Sequence, residues 1–409
     1  MINKDIFPSD PSSLVSKLIK FLGEVSVDTT LKKFKQRLSS SSLIYRRYVE
    51  DKHPFLYPLL QYKKIISSGK SFNSIVNNCI ARGDCKWLNL INSAKKISEI
   101  YKHLPDDTRS IYKSNLLDFD NASSYLYEIT IATHYLINNY NVRWISSPHP
   151  SPEFIVDSGE FHFSIECKHT EVGTFYKLSK GDFYRFCDAL IAKLSSQNCM
   201  GSICIRFKER LPSDITNQNI IVTEITNMIN SRMKGYNTFQ YGEVVLNTKE
   251  KDNKLVAEEK LRKEVSHTTP DDGFGIVHAE ESGLYKKNPI IITANSTLDS
   301  RYVVKLFDLI KKSASRQLYK DIPGILSVHI PEIQSFDFIH DNDDFILFAS
   351  KKLEGEKYKH LGAVVLSSDG QYRQRGTSYQ SYYPTYILKN PNCDFPLPSE
   401  FPFLPDKVS

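Results

Sequence analysis

Cysteine is scarce: seven in 409 residues, odd in number and scattered from Cys79 to Cys393. That excludes a disulfide framework and points to a reducing compartment. Cys79 and Cys85 stand wider apart than common zinc-knuckle pairs, and no histidine pair follows at ligand spacing, which argues against structural zinc. Long apolar runs are missing too. Nothing approaches the roughly 18 uninterrupted apolar residues of a membrane span, and the start, MINKDIFPSDPSS, lacks the basic region and apolar core of a signal peptide. A cytoplasmic protein without a membrane partner is expected. There is no internal repeat, and SSGKS lacks the earlier glycine that a complete phosphate-binding loop requires.

What is present is ordinary globular material. Apolar residues make up 40% and charged residues 24% of the chain, which excludes a disordered, collagen-like or coiled-coil protein. The length suits two or three domains. Charge is unevenly placed: residues 1–110 carry 19 basic against 10 acidic side chains, and the remainder 34 against 37. A basic front favours contact with a polyanion, although solvated helix faces produce the same bias.

Periodicity divides the chain. Residues 1–120 place apolar side chains three and four apart and predict helices, followed by a strong helix at about 121–139 that carries Glu128 beside its apolar stripe. The period then switches to two, predicting strands NVRWI, PEFIVD and FHFSIECKH. From 170 to about 300, helices and strands alternate, and the charge-rich KEKDNKLVAEEKLRKE is expected as an exposed loop or hairpin. Helix 301–319 leads into a buried strand at 324–330. DFILFAS and GAVVLSS look β-like. QYRQRGTSYQSYYPTY suits an aromatic cluster more than a base-stacking surface.

The chemistry gathers in SPEFIVDSGEFHFSIECKHT. Strand alternation puts His162, Ser164, Glu166 and Lys168 on one face and Phe163, Ile165 and Cys167 on the other. The apolar face enters the core, leaving the polar one as an exposed site face. An even hairpin loop makes facing residues sum to 317, which sets Glu153 opposite Ser164 and diagonal to Glu166. An odd loop would bury Glu153 unpaired among apolar groups, so the even register is preferred. Two carboxylates on one face, with a substrate phosphate, suit Mg2+ or Mn2+. Lys168 beside them can orient an attacking water or offset charge in the transition state.

Helical Glu128, then Pro152-Glu153, then Glu166-Cys167-Lys168, on a helix and three strands, resembles the PD-(D/E)XK nuclease superfamily, closely over 120–169. The resemblance implies an α/β fold with a restriction-endonuclease-like mixed sheet core flanked by helices, an N-terminal all-helical domain and an insertion in the core. It implies Glu153, Glu166 and Glu128 as metal ligands, and Glu153, Glu166, Lys168 and Glu128 as the catalytic set. Glu153 stands where the family usually has Asp. A completing helix and strand are expected from 301–319 and 324–330 in preference to 182–197 and 201–207, with Gln317 as a secondary candidate. The expected domains are 1–115, a basic helical front offering a surface to a second copy or a partner protein; 116–169 with 300–409, the core; and 170–299, the insertion. His162 and His169 are expected as satisfied polar side chains, and Asp157 and Glu171 as exposed acids.

The function so implied is a divalent-metal-dependent endonuclease of restriction or defence type, acting on nucleic acid, first of all DNA. The rival is a nuclease-like fold without hydrolysis that serves as a DNA-binding or protein-interaction module. A helical scaffold protein would leave the motif unexplained.

Overall fold

The computed structural model describes residues 5–6, 10–81, 85–145, 150–159, 161–170, 178–270, 273–282, 285–296, 302–331, 336, 343–375, 378–398 and 401–404. Glu171 lies outside them, as do the side chains of Cys79 and Cys85. Among the described residues no helix is long and apolar enough to cross a membrane. Elements of both kinds are present, in mixed sheets.

A short strand β1 (Asp5–Ile6) precedes α1 (Pro11–Leu22), α2 (Glu24–Ser40), α3 (Leu43–Lys52), α4 (Leu56–Ser67), α5 (Phe72–Ala81), α6 (Cys85–Ile100), α7 (Asp106–Leu117) and α8 (Ala122–Ile137). Strands β2 (Asn141–Trp144), β3 (Phe154–Asp157) and β4 (His162–His169) follow. Then come α9 (Lys180–Ser195), β5 (Met200–Phe207), α10 (Ile215–Asn230), β6 (Gly235–Phe239), β7 (Gly242–Lys249), β8 (Val256–Ala257), α11 (Glu258–Thr268), β9 (Phe274–Ser282) and β10 (Tyr285–Ser296). The chain continues through α12 (Tyr302–Arg316), β11 (Gly324–His329), α13 (Asp343–Leu353), β12 (Leu361–Ser367), β13 (Gln371–Arg375), β14 (Ser378–Tyr382) and β15 (Thr385–Lys389).

Two compact units result: Met1–Ser39, Glu50–Glu171 and Val303–Ser409 form the first, and Ser40–Val49 with Val172–Tyr302 the second. The front expected as a separate domain over 1–115 therefore divides. Most of it joins the unit that holds the β2–β4 meander, because α6 and α7 pack on α8, which in turn packs on β4. Residues 40–49 go with the second unit.

Local chemistry explains these helices. Asp10 accepts the Ser13 amide at 3.1 Å and Pro11 opens α1, which buries Val15, Leu18, Ile19 and Leu22 along one stripe. Buried His53 starts α4: its Nδ1 accepts the amides of Phe55 and Leu56 at 3.3 and 3.2 Å. Its Nε2 then donates to Leu116 O at 3.2 Å, and burial pushes its pKa down to about 3, so the ring stays neutral.

The first unit's main sheet runs β15-β12-β11-β4-β3-β2. The meander is antiparallel, whereas β11 lies parallel to β4, with Ile325 opposite Ile165 and Ser327 opposite Cys167. Strand β5, the nearer candidate for that position, belongs to the other unit's sheet between β7 and β10. Phe154, Val156, Phe163 and Ile165 fill the core. Tyr135 of α8 and Phe401 of the Pro-rich tail meet Phe163 at 5.4 and 4.8 Å between ring centroids. Each such aromatic burial contributes roughly 2–3 kcal/mol.

In the second unit, Phe183, Phe186, Leu190 and Leu194 of α9 pack with Ile221, Val222 and Ile225 of α10 over Ile203, Ile205 and Phe207 of β5. Asp188 of α9 secures residues 42–45. It accepts the amides of Ile44 and Tyr45 at 2.8 and 2.7 Å and the Ser42 hydroxyl, which together cap α3. Asp188→Ala should cost about 2 kcal/mol in denaturant unfolding and speed amide exchange over 43–49. An unchanged midpoint would refute this anchor.

Two segments differ from expectation. Residues 258–268 form α11: Leu261 is its buried anchor, and Glu258–Arg262 and Glu259–Lys263 ion pairs at 2.6 and 2.9 Å support the exposed turns. DFILFAS lies in α13, where Ala349 and Leu353, four apart, are buried.

Candidate active site

The hairpin that carries the motif is closed by Ser158–Phe161. Ser158 N–H donates to Phe161 O at 3.0 Å, Asp157 Oδ1 accepts the Gly159 amide at 2.6 Å, and Gly159 takes φ +90°, a conformation glycine adopts without strain. The loop has an even count, as expected, but the register of the paired residues 154–157 differs by two. Phe154 pairs with Ile165 and Ile155 with Ser164; Glu153, just before β3, donates its amide to the same Ile165 O at 3.0 Å, one residue out of that register.

The expected exposed site face is also corrected. Ser164 and Glu166 are both 0% exposed; β4 lies inside the sheet between β3 and β11, with the Ser164 amide donating to Pro323 O at 2.9 Å. Glu128 is buried on α8, Glu153 is partly exposed just before β3, and Lys168 is partly exposed near the end of β4. Lys168 Nζ donates to Glu166 Oε1. Glu166 Oε2 is buried with no protein partner.

These four groups lie within one another's fields. Burial and then the Glu153 charge raise the Glu166 pKa to about 8, with Lys168 opposing. Glu128 is raised well above the carboxylate range by burial and Glu153, partly offset by a Tyr112 hydrogen bond. Burial also raises Glu153, which Lys168 moderates. Three carboxyl groups beside one ammonium in a desolvated place are thus held toward their neutral forms.

Three neighbours carried no usable signal in the sequence. Tyr112 of α7 donates to Glu128 Oε2 at 2.5 Å, and the Trp144 indole N–H donates to the Tyr112 oxygen at 3.3 Å. Tyr125 stands edge-on to Tyr112 at 5.0 Å. Strand alternation marks Trp144 as buried, but nothing in the sequence pairs it with Tyr112.

The other candidates are placed elsewhere. His169 Nδ1 lies 2.8 Å from His329 Nδ1, and burial pushes its pKa down to about 3, so it stands as a satisfied, neutral ring. His162 and Asp157 are exposed and line a shallow groove with Arg143 and Tyr319. Gln317 sits half-buried just past α12, its amide bonded to Ser313 O at 2.9 Å.

Among the described residues no group of three or more His, Cys, Asp or Glu side chains converges as a ready cation cage. The donor set nevertheless suits a hard divalent ion. Its ligands would be carboxylate oxygens, and buried Glu166 Oε2 is an acceptor without a donor. Comparison with protein-family models, curated proteins and solved structures finds no match.

Proposed function

We propose that this protein is a divalent-metal-dependent nuclease that hydrolyses phosphodiester bonds, DNA being the first substrate to test. The observation that carries the proposal is that burial raises all three of Glu128, Glu153 and Glu166, with the Glu153 charge adding to the shift of the other two and Lys168 opposing it in each. A structural ion pair would require only Glu166 and Lys168. The resemblance to PD-(D/E)XK nucleases rests on these same residues, and the parallel β11 beside β4 suits that reading.

In this mechanism Glu153 and Glu166 would hold a magnesium or manganese ion with help from Glu128. The bound ion would offset charge on phosphoryl oxygens and acidify water. Lys168 lies beside Glu166 and is partly exposed, so its ammonium can orient the attacking water and neutralise charge that develops at phosphorus. Burial of Glu166 and Glu128 keeps their oxygens weakly hydrated, which strengthens their hold on a cation. The rival, a nuclease-like binding module without hydrolysis, gives no reason for Glu153, Glu166 and Lys168 to be present together. Incubation of the purified protein with duplex DNA, single-stranded DNA and RNA, with Mg2+ or with chelator, decides between them. Metal-dependent cleavage of at least one substrate is expected, and none in any condition would refute the proposal.

The basic front supplies a surface for the substrate. Helix α2 buries Val27, Leu31, Phe34 and Leu38 and exposes Lys32, Lys33 and Lys35. Changing these three lysines to glutamate should weaken DNA binding and flatten the log–log salt dependence by about 2–3 units, near one per phosphate contact. An unchanged slope would assign this face to another role.

A further inference from the structure

Tyr112, Trp144 and Glu128 are 4%, 7% and 6% exposed, and their hydrogens can be assigned without choice. An indole nitrogen only donates, so the 3.3 Å contact gives the Trp144 proton to the Tyr112 oxygen. The phenol hydrogen is then left for Glu128 Oε2, 2.5 Å away. Tyr125, edge-on to the Tyr112 ring with planes at 89°, restricts that ring as well. An isolated buried glutamate can rotate its carboxylate or turn from the site; one whose Oε2 is held by an anchored phenol cannot. The Glu128 carboxyl group is therefore held in a fixed orientation.

We infer that Tyr112, anchored by Trp144, is a positioning residue that orients Glu128 as a ligand for a divalent cation. The inference rests on the nuclease reading and extends it. The site is completed from α7, within the helical front, and so is not confined to the helix and strands that carry the motif. Hydrogen bonds to ligating carboxylates commonly govern metal affinity by one to two orders of magnitude.

The test uses the full chain with Tyr112→Phe, which removes one oxygen, and Trp144→Phe, which keeps the phenol and removes its anchor. Mn2+ binding is measured by calorimetry without nucleic acid, Mg2+ dependence by cleavage, and folding by thermal melting. Tyr112→Phe should raise the Mn2+ dissociation constant and the half-saturating Mg2+ concentration about tenfold, with the rate at saturating metal near wild type. Trp144→Phe should shift both in the same direction by less, and decides the matter alone should Tyr112→Phe not fold. Unchanged metal affinity in variants that fold, even with a lower melting temperature, would make Tyr112 a structural residue and overturn the inference while wild-type cleavage keeps the nuclease reading. Wild type that neither binds Mn2+ nor cuts any substrate would instead defeat that reading and the inference with it.

Discussion

Lys168→Ala is expected to slow metal-dependent cleavage by about 10²–10³-fold while leaving Mg2+ binding in place, the scale seen when one charge-stabilising donor is removed from an active site. Glu166→Gln is expected to reduce cleavage to background, because an uncharged amide is a poor cation ligand and also releases Lys168. The two variants separate by their metal dependence: high Mg2+ should recover part of the activity of Glu166→Gln and none of that of Lys168→Ala. Both should remain folded. Glu166 is 0% exposed with one oxygen unpartnered, so its charge opposes folding, and glutamine of nearly equal volume relieves that opposition. Single-turnover cleavage with purified variants checks this. Activity of Glu166→Gln within tenfold of wild type at low Mg2+ would sink the site assignment.

The meander was legible because its apolar alternation is strict: Phe154, Val156, Phe163 and Ile165 are all buried in one core. The register was less legible. A pairing sum of 317 and the observed 319 preserve the same face, and the choice between them is made by the Ser158–Phe161 turn bonds. Helix α11 was missed because ion pairs along its own surface support it where a broad apolar stripe is lacking, and a single buried leucine gives little periodic signal. The burial of Glu166 was missed because strand alternation reports only which residues share a face, and says nothing of what packs over that face. Tyr112 lies 16 residues before Glu128 on another helix, and its bond is set by the packing of α7 on α8. Long-range contacts of this kind leave no periodic trace.

The carboxylate cluster also fixes how stability responds to pH, and the sign is opposite to that of an ordinary ion-paired acid. The folded-state pKa of Glu166 is raised to about 8 from an ordinary value of 4.5. Below pH 4.5 the group is protonated both folded and unfolded and contributes no difference. Between 4.5 and 8 the unfolded chain ionises it while the fold retains the proton, so stability falls as pH rises, and the loss is complete above about 8. His53 and His169, both pushed down to about 3, act in a different window: they weaken the fold only as pH drops below about 6.5. Melting scans between pH 6.5 and 8.5 therefore isolate the acids. Wild type in chelator should lose about 2 kcal/mol, a few degrees, across that span, and Glu166→Gln clearly less. If the proposed site holds magnesium, the ion is expected to reverse the sign, since it would favour the ionised carboxylates and compete with protons, so its stabilisation should grow from pH 6.5 to 8.5. The Mg2+-induced rise in melting temperature at pH 8 should accordingly be larger for wild type than for Glu166→Gln. Equal shifts in the two proteins would mean that the ion binds elsewhere, and that Glu153 and Glu166 repel one another without sharing a cation.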